Sequence, residues 1–238
     1  MPRPVRRVIL ATLVAVACAA SATGCALGSH EAAASGTQRD NYAYIAEAVG
    51  PSLPVYAKPG GKLLSKFSNP NEWHDPLVML ATARSGDWFQ VRIPVRPNGS
   101  TGWVPASSVR LTWDPYRIVV DISKHQLTLL NVGRPVLHTP VAVGAKATPT
   151  PHGTFYLTAL LQPPNPNGAY GPYAFGLSGY SPVLKSFAGG DGEIGLHGTN
   201  DPGSIGHSVT HGCIRVANKI MLSIAGRLPL GTPVIVKA

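Results

Sequence analysis

Glycine and proline punctuate this chain too densely for long helices, with 26 glycines and 23 prolines among 238 residues. In a helix interior glycine costs about 1 kcal/mol and proline about 3 kcal/mol relative to alanine. Between these breakers lie short runs rich in Val, Thr, Tyr and Phe, residue types that suit a pleated, half-buried surface. The chain is therefore expected to be mainly β. Its length suits two modest cores, since domains most often run about 100 to 150 residues.

The first segment reads as an address. Arg3, Arg6 and Arg7 precede an apolar run over 8–20, shorter than the roughly 20 residues a spanning helix needs. Residues 1–24 are expected to be a signal peptide and the chain to be exported. Ala22-Thr23-Gly24-Cys25 resembles the lipobox of bacterial lipoproteins, although Ala22 stands where that pattern usually has Leu or another large aliphatic. The resemblance implies lipidation of Cys25 and a membrane partner through that anchor, on the outer face of the cytoplasmic membrane. Ordinary signal cleavage nearby is the alternative. Residues 25–40 are small and polar, as in a flexible tether.

Removing 1–24 lowers the formal charge from +9 to about +6. A basic face in the cell envelope suits anionic wall polymers and lipid head groups, and no arginine-rich tract or aromatic RNA-binding motif points to nucleic acid. Cysteine usage is sharper. Cys18 lies in the leader and Cys25 at the lipidation site, which leaves Cys213 without a disulfide partner. An unpaired thiol in an oxidising compartment is either buried as a small hydrophobe or used as a nucleophile.

Two β units follow the tether. In the first, 41–112, strands are expected over 49–56, 77–83, 88–93 and 101–104. Val55-Tyr56-Ala57-Lys58-Pro59-Gly60, Gly86-Asp87-Trp88-Phe89-Gln90-Val91 and Gly102-Trp103-Val104-Pro105 resemble bacterial SH3-like domains. Such domains bind wall peptides or act as spacers, and Trp88 and Trp103 fill a small barrel core or face a ligand. In the second, 115–238, strands are expected over 117–122, 126–130, 136–143, 154–160 and 233–236. The stretch 163–190 is expected to be a substrate-covering loop. Val216, Ile220, Met221 and Ile224 recur at helical spacing up to Gly226, predicting one short helix after Cys213.

The chemistry concentrates in 193–218, EIGLHGTNDPGSIGHSVTHGCIRVAN. A thiolate, not a thiol, attacks carbonyl carbon, so Cys213 needs an imidazole, and His197, His207 and His211 are all near in sequence. Gly198 and Gly212 let the backbone turn tightly and bring amides toward a reacting carbonyl, where an oxyanion donor contributes roughly 3 to 4 kcal/mol. The start of the helix would add a positive dipole end. Chemistry alone permits either His197 or His211 as the base.

His197-Gly198-Thr199-Asn200, Ser204-Ile205-Gly206 and Thr210-His211-Gly212-Cys213-Ile214-Arg215 resemble the L,D-transpeptidase catalytic domain of the YkuD type. The opening hairpin, Val143-Gly144, Thr150-Pro151-His152-Gly153-Thr154-Phe155 and the last strand extend the likeness over roughly 116–237. Thr210 replaces the commoner Ser and keeps its hydroxyl. The resemblance implies a β-sandwich catalytic domain in which Cys213 is acylated and His197 is the base, its ring held by the Gly198 carbonyl. Amides of His211, Gly212 and Cys213 would hold the oxyanion, and the His211 ring would be structural or electrostatic. Arg215, Thr210, Tyr173 and Tyr180 are candidate substrate contacts, with a salt bridge as the alternative for Arg215 and loop packing for Tyr170, Tyr173 and Tyr180. Asn218 is expected to be structural and His207 a surface residue.

The implied reaction attacks the third residue of a peptidoglycan tetrapeptide stem, releases terminal D-alanine and cross-links two third-position residues. It needs no cofactor, and carbapenems would acylate the cysteine. Four rivals are to be weighed against it. Water as acceptor would give an L,D-carboxypeptidase. Another wall cysteine peptidase would place cysteine before histidine, the reverse of the order here, and a non-enzymatic wall-binding lipoprotein would merely bury the thiol. A zinc site built from His197, His207, His211 and Cys213 lacks any Cys-x-x-Cys or His-Glu-x-x-His element.

Overall fold

The computed structural model describes residues 41–187 and 190–238; the expected leader, Cys25 and tether lie outside the described residues. The first β unit holds β1 (Ala43–Ala48), β2 (Ser52–Tyr56), β3 (Leu63–Ser68), β4 (Val78–Ser85), β5 (Trp88–Arg92), β6 (Thr101–Pro105) and β7 (Val109–Asp114). They form one seven-stranded sheet in the order β3-β2-β6-β5-β4-β1-β7. Three of these strands were not expected from the sequence: β1, β3 and β7. In β1, AYIAEA, helix-forming Ala and Glu mask the strand, which forms because β4 and β7 pair with it on both sides.

Val91 and Val104 point into this unit's core, and alternation along β5 and β6 sends Trp88 and Trp103 to the opposite face. There Trp103 pairs with Tyr56 across the strands, and the Tyr56 ring meets Trp88 edge-on at 5.3 Å. The two tryptophans therefore do not fill the core of the unit.

The second unit continues with β8 (Tyr116–Asp121), β9 (Gln126–Asn131), β10 (Arg134–Pro140), β11 (Val143–Gly144), β12 (Gly153–Leu161), β13 (Ala174–Tyr180) and β14 (Glu193–His197). It closes with β15 (Ser208–Thr210), β16 (Ile214–Arg215), α1 (Asn218–Ala225) and β17 (Pro233–Lys237). Its main sheet has eight strands in the order β10-β9-β8-β17-β12-β13-β14-β16, and β11 pairs with β15 separately. The stretch expected to be one loop over 163–190 thus contains β13, whose Gly176 and Gly179 weaken its strand signal. Pairing to β12 and β14 on either side makes the strand. Met221 and Ile224 of α1 pack into the core beside Leu196, Ile214 and Val216.

β12 is buried on both faces, which explains its nearly unbroken apolar sequence. Phe155 and Leu157 enter the core of the second unit, whereas Tyr156, fully buried, enters the core of the first. The Tyr156 hydroxyl donates to the Arg92 carbonyl at 3.3 Å. Further bonds close the junction. Asn98 brackets Tyr180, donating to its carbonyl at 2.8 Å and accepting from its N–H at 2.9 Å. Arg96 donates to the carbonyls of Ser181, Leu184 and Asp191. Leu160 N–H donates to Asp75, and Thr232 Oγ1 donates to the buried Asp114 at 2.6 Å. The described residues accordingly form one compact unit. Truncating a buried aromatic costs about 3 to 5 kcal/mol. Tyr156→Ala is expected to lower unfolding free energy by that amount, with urea unfolding still a single transition by both fluorescence and circular dichroism.

Candidate active site

β14 carries the site because its side chains alternate. Ile194 and Leu196 point into the core, while Glu193, Gly195 and His197 share the other face. β16 runs parallel to β14, with Leu196 opposite Ile214 and His197 opposite Arg215. Ile214 faces the core, so Cys213 and Arg215 fall on the same face as His197. The Gly195 N–H donates to Cys213 Sγ at 3.3 Å. A Cβ at Gly195 would lie 3.8 Å from both Cys213 Sγ and His197 Cδ2. Thiol and imidazole thus converge over a position kept open by the lack of a side chain.

His197 is 4% exposed, and its Nδ1 lies 2.6 Å from the Gly198 carbonyl. A carbonyl only accepts, so Nδ1 carries the proton and Nε2 is left as the acceptor. Burial pushes the imidazole down to about 4, with Arg215 acting the same way. Burial pushes the Cys213 thiol up, against the Gly195 N–H and the Arg215 charge. The resting pair is a neutral thiol beside a neutral imidazole.

The Thr210–Cys213 turn is tied from within and from outside. Thr210 Oγ1 donates to the Cys213 carbonyl at 2.6 Å and accepts from the Gly212 N–H at 3.1 Å. The Gly212 amide is therefore occupied, which corrects its expected place among the oxyanion donors. Among the described residues the amides of His211 and Cys213 donate no hydrogen bond. Gly212 has φ +117°, a backbone region that favours glycine. Thr150 Oγ1 donates to the Gly212 carbonyl at 2.8 Å and accepts from Gly144 N–H, while Thr148 Oγ1 donates to the Thr210 carbonyl. Both threonines lie about sixty residues from the turn they hold, and no local pattern marks them as part of the site.

The remaining candidates are dispersed. His211 is exposed and stacks on Phe187 at 5.0 Å. His207 is exposed, and among the described residues no three His, Cys, Asp or Glu side chains form a metal-ligand set. Asn218 Oδ1 accepts from Thr199 N–H at 2.7 Å, and the Tyr173 carbonyl accepts from Gly198 N–H, so both brace the segment after His197. Tyr180 is not at the thiol: its hydroxyl donates to the Pro94 carbonyl at 2.9 Å and Arg96 lies over its ring. The aromatic beside the pair is Tyr170, 4.9 Å from the His197 ring. Its position in an irregular Pro- and Gly-rich stretch gave no periodic signal. Arg215 Nε is buried with no hydrogen-bond partner. Finally, β16 separates Cys213 from α1, so the donor acting on the sulfur is a strand amide and not the helix start.

Relatives share this half of the chain. The YkuD proteins of Bacillus licheniformis and Bacillus subtilis, both named as L,D-transpeptidases, are each 39% identical over 120 residues, 50% of this chain. The matched segment spans 64% and 65% of those relatives. The catalytic domain of the Enterococcus faecium L,D-transpeptidase superposes with a TM-score of 0.38 at 26% identity, over 51% of this chain and 96% of that one. Residues 115–236 match the family model described as YkuD, L,D-transpeptidase catalytic domain. That match takes in both β14 and the Thr210–Cys213 turn, and the chain belongs to the YkuD family of L,D-transpeptidase catalytic domains.

Proposed function

We propose that this protein is a peptidoglycan L,D-transpeptidase that uses Cys213 as nucleophile and His197 as general base. The observation that carries this reading is the convergence of thiol and neutral imidazole over Gly195. As the Cys213 sulfur attacks the third-residue carbonyl of a tetrapeptide stem, its proton passes to His197 Nε2. The His211 and Cys213 amides face the developing oxyanion, where donors matter most. Collapse breaks the carbon–nitrogen bond, His197 returns its proton to the departing D-alanine amine, and a thioester remains. An incoming side-chain amine then attacks the thioester and gives its proton to His197. The Cys213 sulfur leaves and regains that proton, and the two third-position residues are joined. Water in place of the amine gives an L,D-carboxypeptidase.

The unpaired Arg215 Nε supports a role in holding a substrate carboxylate. His197 converges with the thiol over Gly195, whereas His211 is exposed and stacked on Phe187. In the same reading the protein is exported and lipid-anchored at Cys25, the first β unit is SH3-like, and carbapenems acylate Cys213. Incubation of purified protein with tetrapeptide stems, followed by mass spectrometry, tests the reaction. Dimers lacking one D-alanine support transpeptidation, tripeptides alone indicate hydrolysis, and unchanged stems refute both.

A further inference from the structure

A cavity of about 310 Å³ opens between the two β units, at the lower end of the roughly 300 to 1,000 Å³ typical of ligand pockets. Phe67, Glu72 and Trp73 line it from the first unit, and Thr158, Tyr180 and Glu193 from the second. Glu193 Oε1 accepts a hydrogen bond from Thr158 Oγ1 at 3.2 Å, and the Trp73 indole approaches the same carboxylate. Lys66 on the wall is exposed and forms no ion pair among the described residues. Among the described residues neither Glu72 nor Glu193 forms an ion pair.

This cavity shares a sheet face with the thiol. Glu193 and Gly195 lie on one side of β14, and Gly195 is paired directly with Gly176 of β13. A Cβ at Gly176 would lie 3.3 Å from Glu193 Oε1, and one at Gly195 would lie 3.8 Å from Cys213 Sγ. Directly paired Cβ positions stand about 5 Å apart, so carboxylate and thiol are at most about 13 Å apart across a floor of two glycines. An extended tetrapeptide spans about 13 to 14 Å. The thiol and the cavity thus lie within the length of one stem peptide on the same sheet face.

We propose that the cavity is a recognition site for the primary ammonium group of a diamino-acid side chain in the peptide substrate, held by Glu193 and Glu72 beside Trp73. The inference rests on the peptidoglycan reading above, because that substrate class carries such an amine. Two carboxylates suit an ammonium, which gains from charge-assisted hydrogen bonds. Burial first, then the Glu72 and Asp191 charges, penalise the Glu193 carboxylate and push its carboxyl up to about 7. A bound cation reverses that penalty.

The test is calorimetric titration of the full chain with the tripeptide L-Ala-γ-D-Glu-L-Lys and with its Nε-acetylated form. The free amine is expected to bind at least ten-fold more tightly than the acetylated probe. Glu193→Gln should erase that preference, and Glu72→Gln, at an exposed position less able to perturb folding, should reduce it several-fold. Tryptophan fluorescence should change on binding in the wild type and not in Trp73→Phe. Equal affinity for the two probes, or a preference that survives Glu193→Gln, overturns the proposal. Binding is read without turnover, so the two readings fail separately. Cys213-dependent stem modification with no amine preference removes the cavity proposal alone. Amine preference with no stem modification removes the transpeptidase reading and leaves an ammonium site.

Discussion

Cys213→Ala protein incubated with tetrapeptide stems is expected to release no D-alanine, a loss of roughly 10⁴-fold or more, because removing the nucleophile of a covalent mechanism removes the route itself. Among the described residues Cys213 is the free cysteine, so no neighbouring thiol substitutes. A carbapenem is expected to add once to the wild type, with the added mass on the peptide containing residue 213. Mapping by peptide is needed because Cys25 is also present in the full chain. A variant that still released D-alanine, or an adduct mapped elsewhere, would remove the thiol from the mechanism.

The second large effect is expected at His197. Removing a general base costs typically 10²- to 10⁴-fold, and here the pH profile separates that role from a structural one. His197 is held down to about 4, so its neutral form, which accepts the proton, predominates at all higher pH. Burial holds the thiol above its ordinary range, so little thiolate pre-exists near neutrality. Wild-type acylation is therefore expected to be nearly flat from about pH 5 to 8. In His197→Gln the reaction must wait for spontaneous ionisation, and its rate should rise about ten-fold per pH unit over the same window. Stopped-flow measurement of carbapenem acylation reads both slopes. Parallel profiles would assign the base elsewhere, and a flat, slow variant would point to lost packing.

The two residues that matter most were legible because each lies in a short motif whose glycines and hydroxyls serve the same local turn. Thr210 illustrates this, since its hydroxyl closes the turn that presents Cys213. Long-range partners were less legible. Thr148 and Thr150 act on the turn from about sixty residues away, and nothing in their local sequence announces it. Gly195 was passed over because its contribution is an amide and an empty space. Strand prediction failed where neighbours decide the outcome: β1 is helical by propensity and β13 is weakened by glycine, yet each is paired on both sides. The orientation of Trp88 and Trp103 was likewise a question of register, which a change of one residue reverses.

The family likeness begins at residue 115, but the side chain of Tyr156 completes the core of the unit that precedes it. A boundary of similarity is thus not a boundary of folding. Tyr156 of the second unit belongs to the core of the first, so recombination that exchanged the first unit for another would need to supply a matching socket for it. It would also need carbonyls and carboxylates placed like those of Arg92, Pro94 and Asp75. The environment of residue 156 is thereby set by residues more than sixty positions upstream.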